Sequence, residues 1–597
     1  MSRKKKQDFP ETFFEDLLNK AQNYQELGKD CFRQKELNRL FDLTVEHGRN
    51  VIIIGNPGVG KNYLIEALAR KIADKNSSHS VEKIVRLKSF SLVAGTGVRG
   101  TLEENFKTLI EKITPSSYFN KTIVVIPNLH FWTKIGATAD NPHGNLLNIL
   151  LLDYSDYLKK DNIAFVGITT PEGFHQLTAV YSQIQNYFEI LRLEPMSEED
   201  TIKSLENYLK EKKFNNLSIE FYSYVVRMGE QIFPNLSSPG NAITLLFKAF
   251  PQLNQNKNIT SDEGIRIINQ VITELTGLRE ELFSEDPIEK EKILKNLKEY
   301  YKGYEEHLSR MVDFFLRFKA KLTPRDRPAG SVLMVGPTGV GKTELVRQIA
   351  NYMYKGNLKK LKIYDMTEYA TIDDIKRLIG DSFNPLSQGR LIKDISNDPF
   401  SIFLFDEIEK AHPAVRNIFL QILGDGRITD AFGNTYSFKN AFIFMTSNIG
   451  FEPGSPLYER NEVSKDEVLK KLYEKFPKEL LNRIEEIFIF NFLDENTLKE
   501  ITEKELKNIF CKDRPTARIF CLKKEVKIEW SKEVPEFISS KLIKDSKKFG
   551  AREIQRVIER EIIFPLSYII CKNPELTHFE IVIEDGKIIV RKKQDGS

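Results

Sequence analysis

A chain of 597 residues exceeds what one hydrophobic core sustains, so several domains are expected. Hydrophobic residues at 41% and charged residues at 29% are ordinary globular values, which excludes wholesale disorder or a fibrous repeat. With 88 basic against 84 acidic side chains, the net charge of +4 gives no electrostatic case for nucleic acid as a partner.

The chain opens with MSRKKK, but QDFPETFFEDLL follows where a secretory signal would need an apolar core, and residues 1–27 are read as an N-terminal extension. No apolar run approaches the ~18 residues of a membrane span, so no membrane insertion is expected. Cys31, Cys511, Cys521 and Cys571 show neither metal spacing nor a CxxC pair. Reduced structural thiols, in the cytoplasm or an equivalent reducing organelle interior, are the reading that follows.

Residues 51–64, VIIIGNPGVGKNYL, give an apolar run suited to a buried parallel strand, a glycine-rich turn and a helix start. TIVVIPNLHFW (122–132) and IAFVGITT (163–170) add two more buried strands, and 197–248 reads as helical. PQLNQNKN (251–258) reads as a linker, and the charged stretch 273–302 as a connecting helix. The pattern then recurs as VLMVGPTGVGKTEL (332–345), SIFLFDEIEKAH (401–412) and AFIFMTSN (441–448). A helical stretch over 494–570 leads to FEIVIEDGKIIVRK, where Asp585 and Gly586 between alternating apolar runs predict a β-hairpin. Strands alternating with helices predict an α/β fold with two tandem nucleotide-binding modules, each a parallel sheet covered by helices and followed by a smaller helical subdomain. The boundaries read as 28–255 for the first module, 256–294 for the linker and connecting helix, 295–490 for the second large subdomain and 491–597 for its small subdomain.

The second module carries the chemistry. Gly336, Pro337, Thr338, Gly339, Val340, Gly341, Lys342 and Thr343 form a loop whose backbone N–H groups face phosphates at a helix N-terminus. Lys342 offers a positive charge to those phosphates and Thr343 a hydroxyl to Mg²⁺, so ATP and Mg²⁺ are the expected ligands. The apolar strand FLFDE delivers Asp406 to the metal and Glu407 to the attacking water; hydrolysis needs both.

These words, with LQILGDGRITD (420–430), MTSNIG, ELLNRIEEIFIF (479–490) and FGAREIQR, resemble the second ATPase module of the Clp family of AAA+ protein-remodelling enzymes, the ClpA, ClpB and ClpC branches included. The resemblance covers nearly the whole second half and implies tandem AAA+ P-loop modules. It implies further that Asn448 is sensor 1 at the γ-phosphate, Arg483 an arginine finger reaching a neighbouring subunit's site, and Arg552 sensor 2. A finger acting between subunits implies a hexameric ring.

The first half resembles the first Clp module through IGNPGVGK, SFSLVAGTGVRGTLEENF and GITT, and departs from it where hydrolysis is done. Lys61 remains. Asn62 replaces the metal-bound hydroxyl residue, Pro127 and Asn128 replace the acidic pair, Asn186 and Tyr187 replace the arginine pair, and Asn241 replaces a basic residue of the small subdomain. A pseudo-ATPase module is the expectation. The family's aromatic pore loops are also altered: Gly97 and Val98 stand at the first, and Phe383 is the candidate at the second, where the usual tyrosine is missing. No peptide-binding N-terminal domain and no coiled-coil insertion are expected. Ile449-Gly450-Phe451 matches a peptidase-docking tripeptide but continues directly from sensor 1, so it reads as coincidence and partnership with a ClpP-like peptidase is not expected.

The function expected from this resemblance is ATP-driven remodelling or disassembly of proteins or protein complexes by a homo-hexamer. The alternative is a scaffold or regulatory subunit of a mixed AAA+ ring without processive threading.

Overall fold

Short runs of β-branched and aromatic residues, stiff at χ1 and suited to a pleated surface, build the sheets of the computed structural model. It describes residues 14–23, 32–73, 81–88, 99–117, 119–137, 144–284, 287–320, 322–324, 326–381, 388–430, 434–458, 463–511, 526–549 and 551–593. Gly97, Val98, Phe383, Cys31 and Cys521 lie outside the described residues. The chain divides into two compact units, Met1–Val271 and Ile272–Ser597.

The first unit holds six strands: β1 (Phe14–Asp16), β2 (Val51–Ile54), β3 (Val81–Leu87), β4 (Lys121–Ile126), β5 (Ile163–Thr169) and β6 (Glu189–Arg192). They lie in the order β1-β3-β4-β5-β2-β6. β1 runs antiparallel to β3, and every other pairing in this sheet is parallel. β2 and β5 are buried along their whole length, as a parallel sheet covered on both faces requires. Residues 14–23, read from sequence as part of an extension, instead supply the edge strand β1 and the helix Leu17–Asn23, which packs on the helix Lys61–Ala73. Three residues are too few to show a strand's period, which is why β1 was not predicted.

The second unit repeats the plan. Its strands β7 (Gly330–Val335), β8 (Leu361–Asp365) and β9 (Ile402–Asp406) are followed by a small ribbon, β10 (Arg427–Thr429) with β11 (Thr435–Ser437), then by β12 (Phe442–Ser447) and β13 (Glu486–Ile489). The sheet order β13-β7-β12-β9-β8 is all parallel and matches β6-β2-β5-β4-β3 of the first unit strand for strand. The small subdomain ends in β14 (Lys527–Trp530), β15 (His578–Glu584) and β16 (Lys587–Lys592). β15 and β16 are the predicted hairpin, turned by Asp585 and Gly586 at φ of 48° and 71°, the left-handed pair that a two-residue turn of this hand needs.

Two further expectations are corrected. The single connecting helix over 273–302 is three pieces: the end of the helix Ser261–Thr276, a 3₁₀ turn at Glu280–Leu282 and the helix Lys290–Tyr300. Gly277, at φ 74°, stops the first of these. The expected linker at 251–258 likewise begins inside the helix Gly240–Leu253, which contains Pro251. Among the described residues no helix is long and apolar enough to cross a membrane.

Candidate active site

The loop 336–341 leaves β7 and enters the helix Lys342–Met353. Gly339 and Gly341 take φ of 81° and 100°, open to glycine and strained for other residues. At Gly336 a side chain is excluded by space, since a Cβ would lie 2.3 Å from the Phe490 carbonyl oxygen. The Lys342 ammonium turns back into this loop, donating to the carbonyls of Gly336 (2.6 Å) and Pro337 (2.8 Å) and to Asn448 Oδ1 (2.8 Å). Burial pulls its pKa down to about 8, while Asp406, Glu409 and Glu407 oppose the fall and Arg552 adds to it.

Parallel pairing of β9 with β12 brings their C-terminal tips together. The Thr446 hydroxyl donates to Asp406 Oδ1 and accepts the Glu407 N–H at 3.0 Å. Glu407 itself has φ 56° and ψ 54°, a left-handed conformation costing about 1–2 kcal/mol in a non-glycine residue, and it turns the chain sharply off the strand. Asn448 Nδ2 donates to Glu407 Oε1 at 3.3 Å, and the Asn448 N–H donates to Glu409 Oε1 at 2.9 Å. Glu409 Oε2 is buried without a partner. Lys342, Asn448 and Glu407 thus form one connected polar path, with Asp406 beside it.

The path borders a cleft of about 390 Å³, walled by the loop residues Thr338 to Thr343, by Asp406, Glu407 and Asn448, and by Tyr301 and Arg552. Arg552 begins the helix Arg552–Ile558, which is tied to the loop by the Ala551 N–H donating to the Gly339 carbonyl (2.9 Å). Arg483 is not on the cleft wall. It ends the helix Lys478–Arg483 and donates to the Leu420 carbonyl and to Glu479 (2.7 Å), its guanidinium filling the space over Gly424. Among the described residues no cluster of three or more His, Cys, Asp or Glu suits a metal held by protein alone. Asp406 and Thr343 fit a Mg²⁺ ion that brings phosphate oxygens and water with it. Thr446, Glu409, Tyr301 and Ala551 were not singled out in the sequence, because their roles depend on strand register and backbone contact.

Three family models match the chain. "ATPase family associated with various cellular activities (AAA)" covers residues 51–189, "AAA domain (Cdc48 subfamily)" covers 327–487, and "C-terminal, D2-small domain, of ClpB protein" covers 493–579. The ATP-dependent Clp protease ATP-binding subunit ClpL of Staphylococcus aureus strain USA300 is 25% identical over 622 residues, 94% of this chain and 85% of that protein. These matches support a Clp-family two-module AAA+ ATPase. The ClpL of strain MRSA252 is 26% identical over 624 residues, again with 94% and 85% covered. Among solved structures, closed-state Hsp104 with ATPγS and FITC casein aligns with a TM-score of 0.72 at 22% identity, covering 97% of this chain and 98% of that one. The extended Saccharomyces cerevisiae Hsp104–casein complex gives 0.70 at 23%, covering 98% and 99%. These structures share the fold.

Register lets the two sites of this Clp-like chain be compared position by position. The Gly55 N–H meets the Thr169 carbonyl (3.3 Å) as the Gly336 N–H meets the Ser447 carbonyl (3.1 Å), so Ile168 stands where Thr446 does. Pro127 and Asn128 then stand where Asp406 and Glu407 do. Asn128 keeps the left-handed turn, at φ 48° and ψ 52°. Val51 pairs with Glu189 as Val332 pairs with Glu486, which sets Asn186 at the position of Arg483. The clasp is kept as well: the Gly240 N–H donates to the Gly58 carbonyl at 3.0 Å, placing Asn241 at the position of Arg552. Asn241 is buried, its side-chain oxygen accepting the Ala242 N–H at 2.7 Å. Lys61 donates to the carbonyls of Gly55 and Asn56 (2.8 Å), as Lys342 does in its own loop.

Proposed function

We propose that the chain hydrolyses ATP in its second module only and uses that turnover, in a ring, to remodel proteins or protein assemblies. The carrying observation is the connected path from Lys342 through Asn448 to Glu407, with the Asp406–Thr446 pair beside it in one cleft. In this reading the loop N–H groups and Lys342 hold the β- and γ-phosphates. Thr343 and Asp406 would hold Mg²⁺, which when bound neutralises charge developing on the phosphate oxygens. Glu407 accepts a proton from the attacking water, and its left-handed backbone points the carboxylate off the strand end into the cleft. Asn448 links the water-polarising carboxylate to the phosphate-binding lysine, so both respond to the same γ-phosphate. Arg552 carries nucleotide occupancy to the small subdomain. The position of Arg483 off its own cleft supports a finger that serves a neighbouring subunit, and with it a hexamer. A Glu407→Gln variant should keep nucleotide binding and lose turnover, whereas Lys342→Ala should lose both; normal turnover in Glu407→Gln would overturn the assignment.

A protein substrate is supported by the relatives' description as Clp protease ATP-binding subunits and by casein in the Hsp104 structures. Ile449 and Phe451 are each 3% exposed, which supports reading that tripeptide as core and not as a peptidase-docking loop. The losses in the first unit favour a second reading, a scaffold or regulatory subunit of a mixed ring. Robust turnover by the purified homo-oligomer supports the remodeller; inactivity rescued by another AAA+ partner supports the mixed ring. Trapping bound proteins on Glu407→Gln would identify the substrate.

A further inference from the structure

The segment joining the helices Lys290–Tyr300 and Glu305–Lys319 runs along three parts of the second unit. Tyr301, on the cleft wall, donates its hydroxyl to the Gly341 carbonyl at 3.4 Å. Gly303, at φ 83°, passes so close to the small subdomain that a Cβ there would lie 2.9 Å from Thr497 Cγ2. Tyr304 and His307 reach the junction where the chain leaves β13 and enters the helix Glu495–Phe510, the first of the small subdomain. The Tyr304 hydroxyl donates to the Asn491 carbonyl at 2.5 Å, and His307 Nε2 donates to the Ile489 carbonyl at 2.9 Å. Their rings stack within 6° of parallel; His307 stacks equally on Phe488 at 4.6 Å, and Tyr304 packs on Phe490 at 4.5 Å. Two carbonyls at the junction are thus held by side chains of one short segment.

Two costs sit at the same place. Tyr304 has φ 52° and ψ 47°, a left-handed conformation that a bulky side chain disfavours. Among the described residues, Asn491 Oδ1 is buried without a partner. Such costs persist only where the surroundings impose them, and they favour any rearrangement that releases them. What the junction carries decides the consequence. Beyond it, Ile501, Lys504, Glu505 and Arg552 line the cleft, Lys504 pairs with Glu344 of the phosphate-loop helix at 3.7 Å, and the Ala551 N–H clasps Gly339. Rotation at 490–493 lifts these groups from the cleft together and leaves the phosphate loop, Asp406 and Glu407 behind.

We propose that Tyr304 and His307 form a latch on the junction between the large and small subdomains, and that this latch sets how fast ADP leaves the second cleft. Both are positioning residues. Neither lines the cleft, and they act by holding Arg552 and its neighbours closed over the nucleotide. Burial keeps the Tyr304 phenol above its ordinary pKa, so it stays a donor. The latch favours the closed arrangement and the two costs favour the open one, so loss of one hydrogen bond shifts the balance between them. The proposal rests on the second-module reading and adds to it the element that governs product release.

The test loads the full chain with fluorescent ADP and Mg²⁺ and chases it with unlabelled ADP in a stopped-flow cell, taking as the second cleft the phase that Lys342→Ala removes. Tyr304→Phe keeps the ring and deletes the hydroxyl; His307→Phe keeps the stack and deletes the donor. Each should speed that phase by about fivefold, the scale of one neutral hydrogen bond. In an Arg552→Ala background, where the small subdomain has lost the arginine that reads nucleotide, Tyr304→Phe should add less than twofold. Release by Tyr304→Phe within twofold of wild type, whatever happens to its melting temperature, would overturn the latch, as would an acceleration of twofold or more in the Arg552→Ala background. If Tyr304→Phe fails to fold by circular dichroism, His307→Phe decides in its place by the same limits. Should Lys342→Ala remove no phase, the second-module reading fails and takes the latch with it; a phase that is present but indifferent to Tyr304 sinks the latch alone.

Discussion

Thr446 serves both acidic residues of the cleft with one buried hydroxyl, orienting the Asp406 carboxylate and anchoring the Glu407 backbone. Thr446→Val keeps the shape and removes both contacts. Turnover should fall by about 10²-fold, the scale of one lost orienting group, while ATP affinity stays within a few-fold. The orphaned Glu407 N–H should also lower the melting temperature, its loss costing about 1–3 kcal/mol. Near-normal turnover would mean that Asp406 is held by something else. Lys342 and Lys61 lead to a second expectation, since burial lowers each from 10.5 to about 8. The sign follows from proton counting. Between about pH 8 and 10.5 the unfolded chain keeps these protons and the native chain sheds them, so stability rises with pH across that window and both lysines weaken the fold below it. Bound phosphate favours the ammonium, so nucleotide affinity should fall as pH climbs past about 8, approaching tenfold per unit. Calorimetric titration from pH 7 to 9.5 checks this; a flat profile would show that the lysines stay charged.

At the scale of elements, the helix Val415–Asp425 carries Gly424 directly beneath Arg483, where a Cβ would sit 2.1 Å from its Nη1. Gly424→Ala should push the guanidinium off the Leu420 carbonyl. ATP binding should survive and turnover should drop toward the level of an Arg483 deletion, while the helix gains up to about 1 kcal/mol from losing a glycine. A stable variant with full activity would remove Arg483 from catalysis. Elements differ in how plainly the sequence announces them. β2, β5, β7, β9 and β12 are continuous apolar runs because both their faces are covered, and they were readable. In β3, β6, β8 and β13 charged residues interrupt the apolar run, as in VEKIVRL and EILR, and these strands were not. The loop and acidic residues that line the cleft were named from motif spacing. The clasps Gly240–Gly58 and Ala551–Gly339 are main-chain contacts, and Thr446 meets Asp406 only through strand register; neither leaves a mark that one sequence can show.

At the scale of the whole molecule, the finger assignment makes each cleft depend on a neighbour. Arg483→Ala should leave ATP affinity intact and cut turnover by roughly 10³-fold or more. Rings doped with Arg483→Ala subunits should lose activity at neighbouring clefts as well; loss in strict proportion to the mutant fraction would contradict action between subunits. The two units of one chain also face different prospects of change. Proline at 127 and isoleucine at 168 suit each other, and Ile168 is 4% exposed. An aspartate introduced at 127 would meet hydrocarbon where Asp406 meets a hydroxyl, and a threonine introduced at 168 would bury its hydroxyl beside a proline ring. Either of these two changes made alone passes through an unpaired polar group before any benefit appears. This pair of positions is therefore behind a ratchet: selection can keep the two residues or discard them together, but one-letter steps do not lead from proline and isoleucine to a carboxylate with its hydroxyl partner.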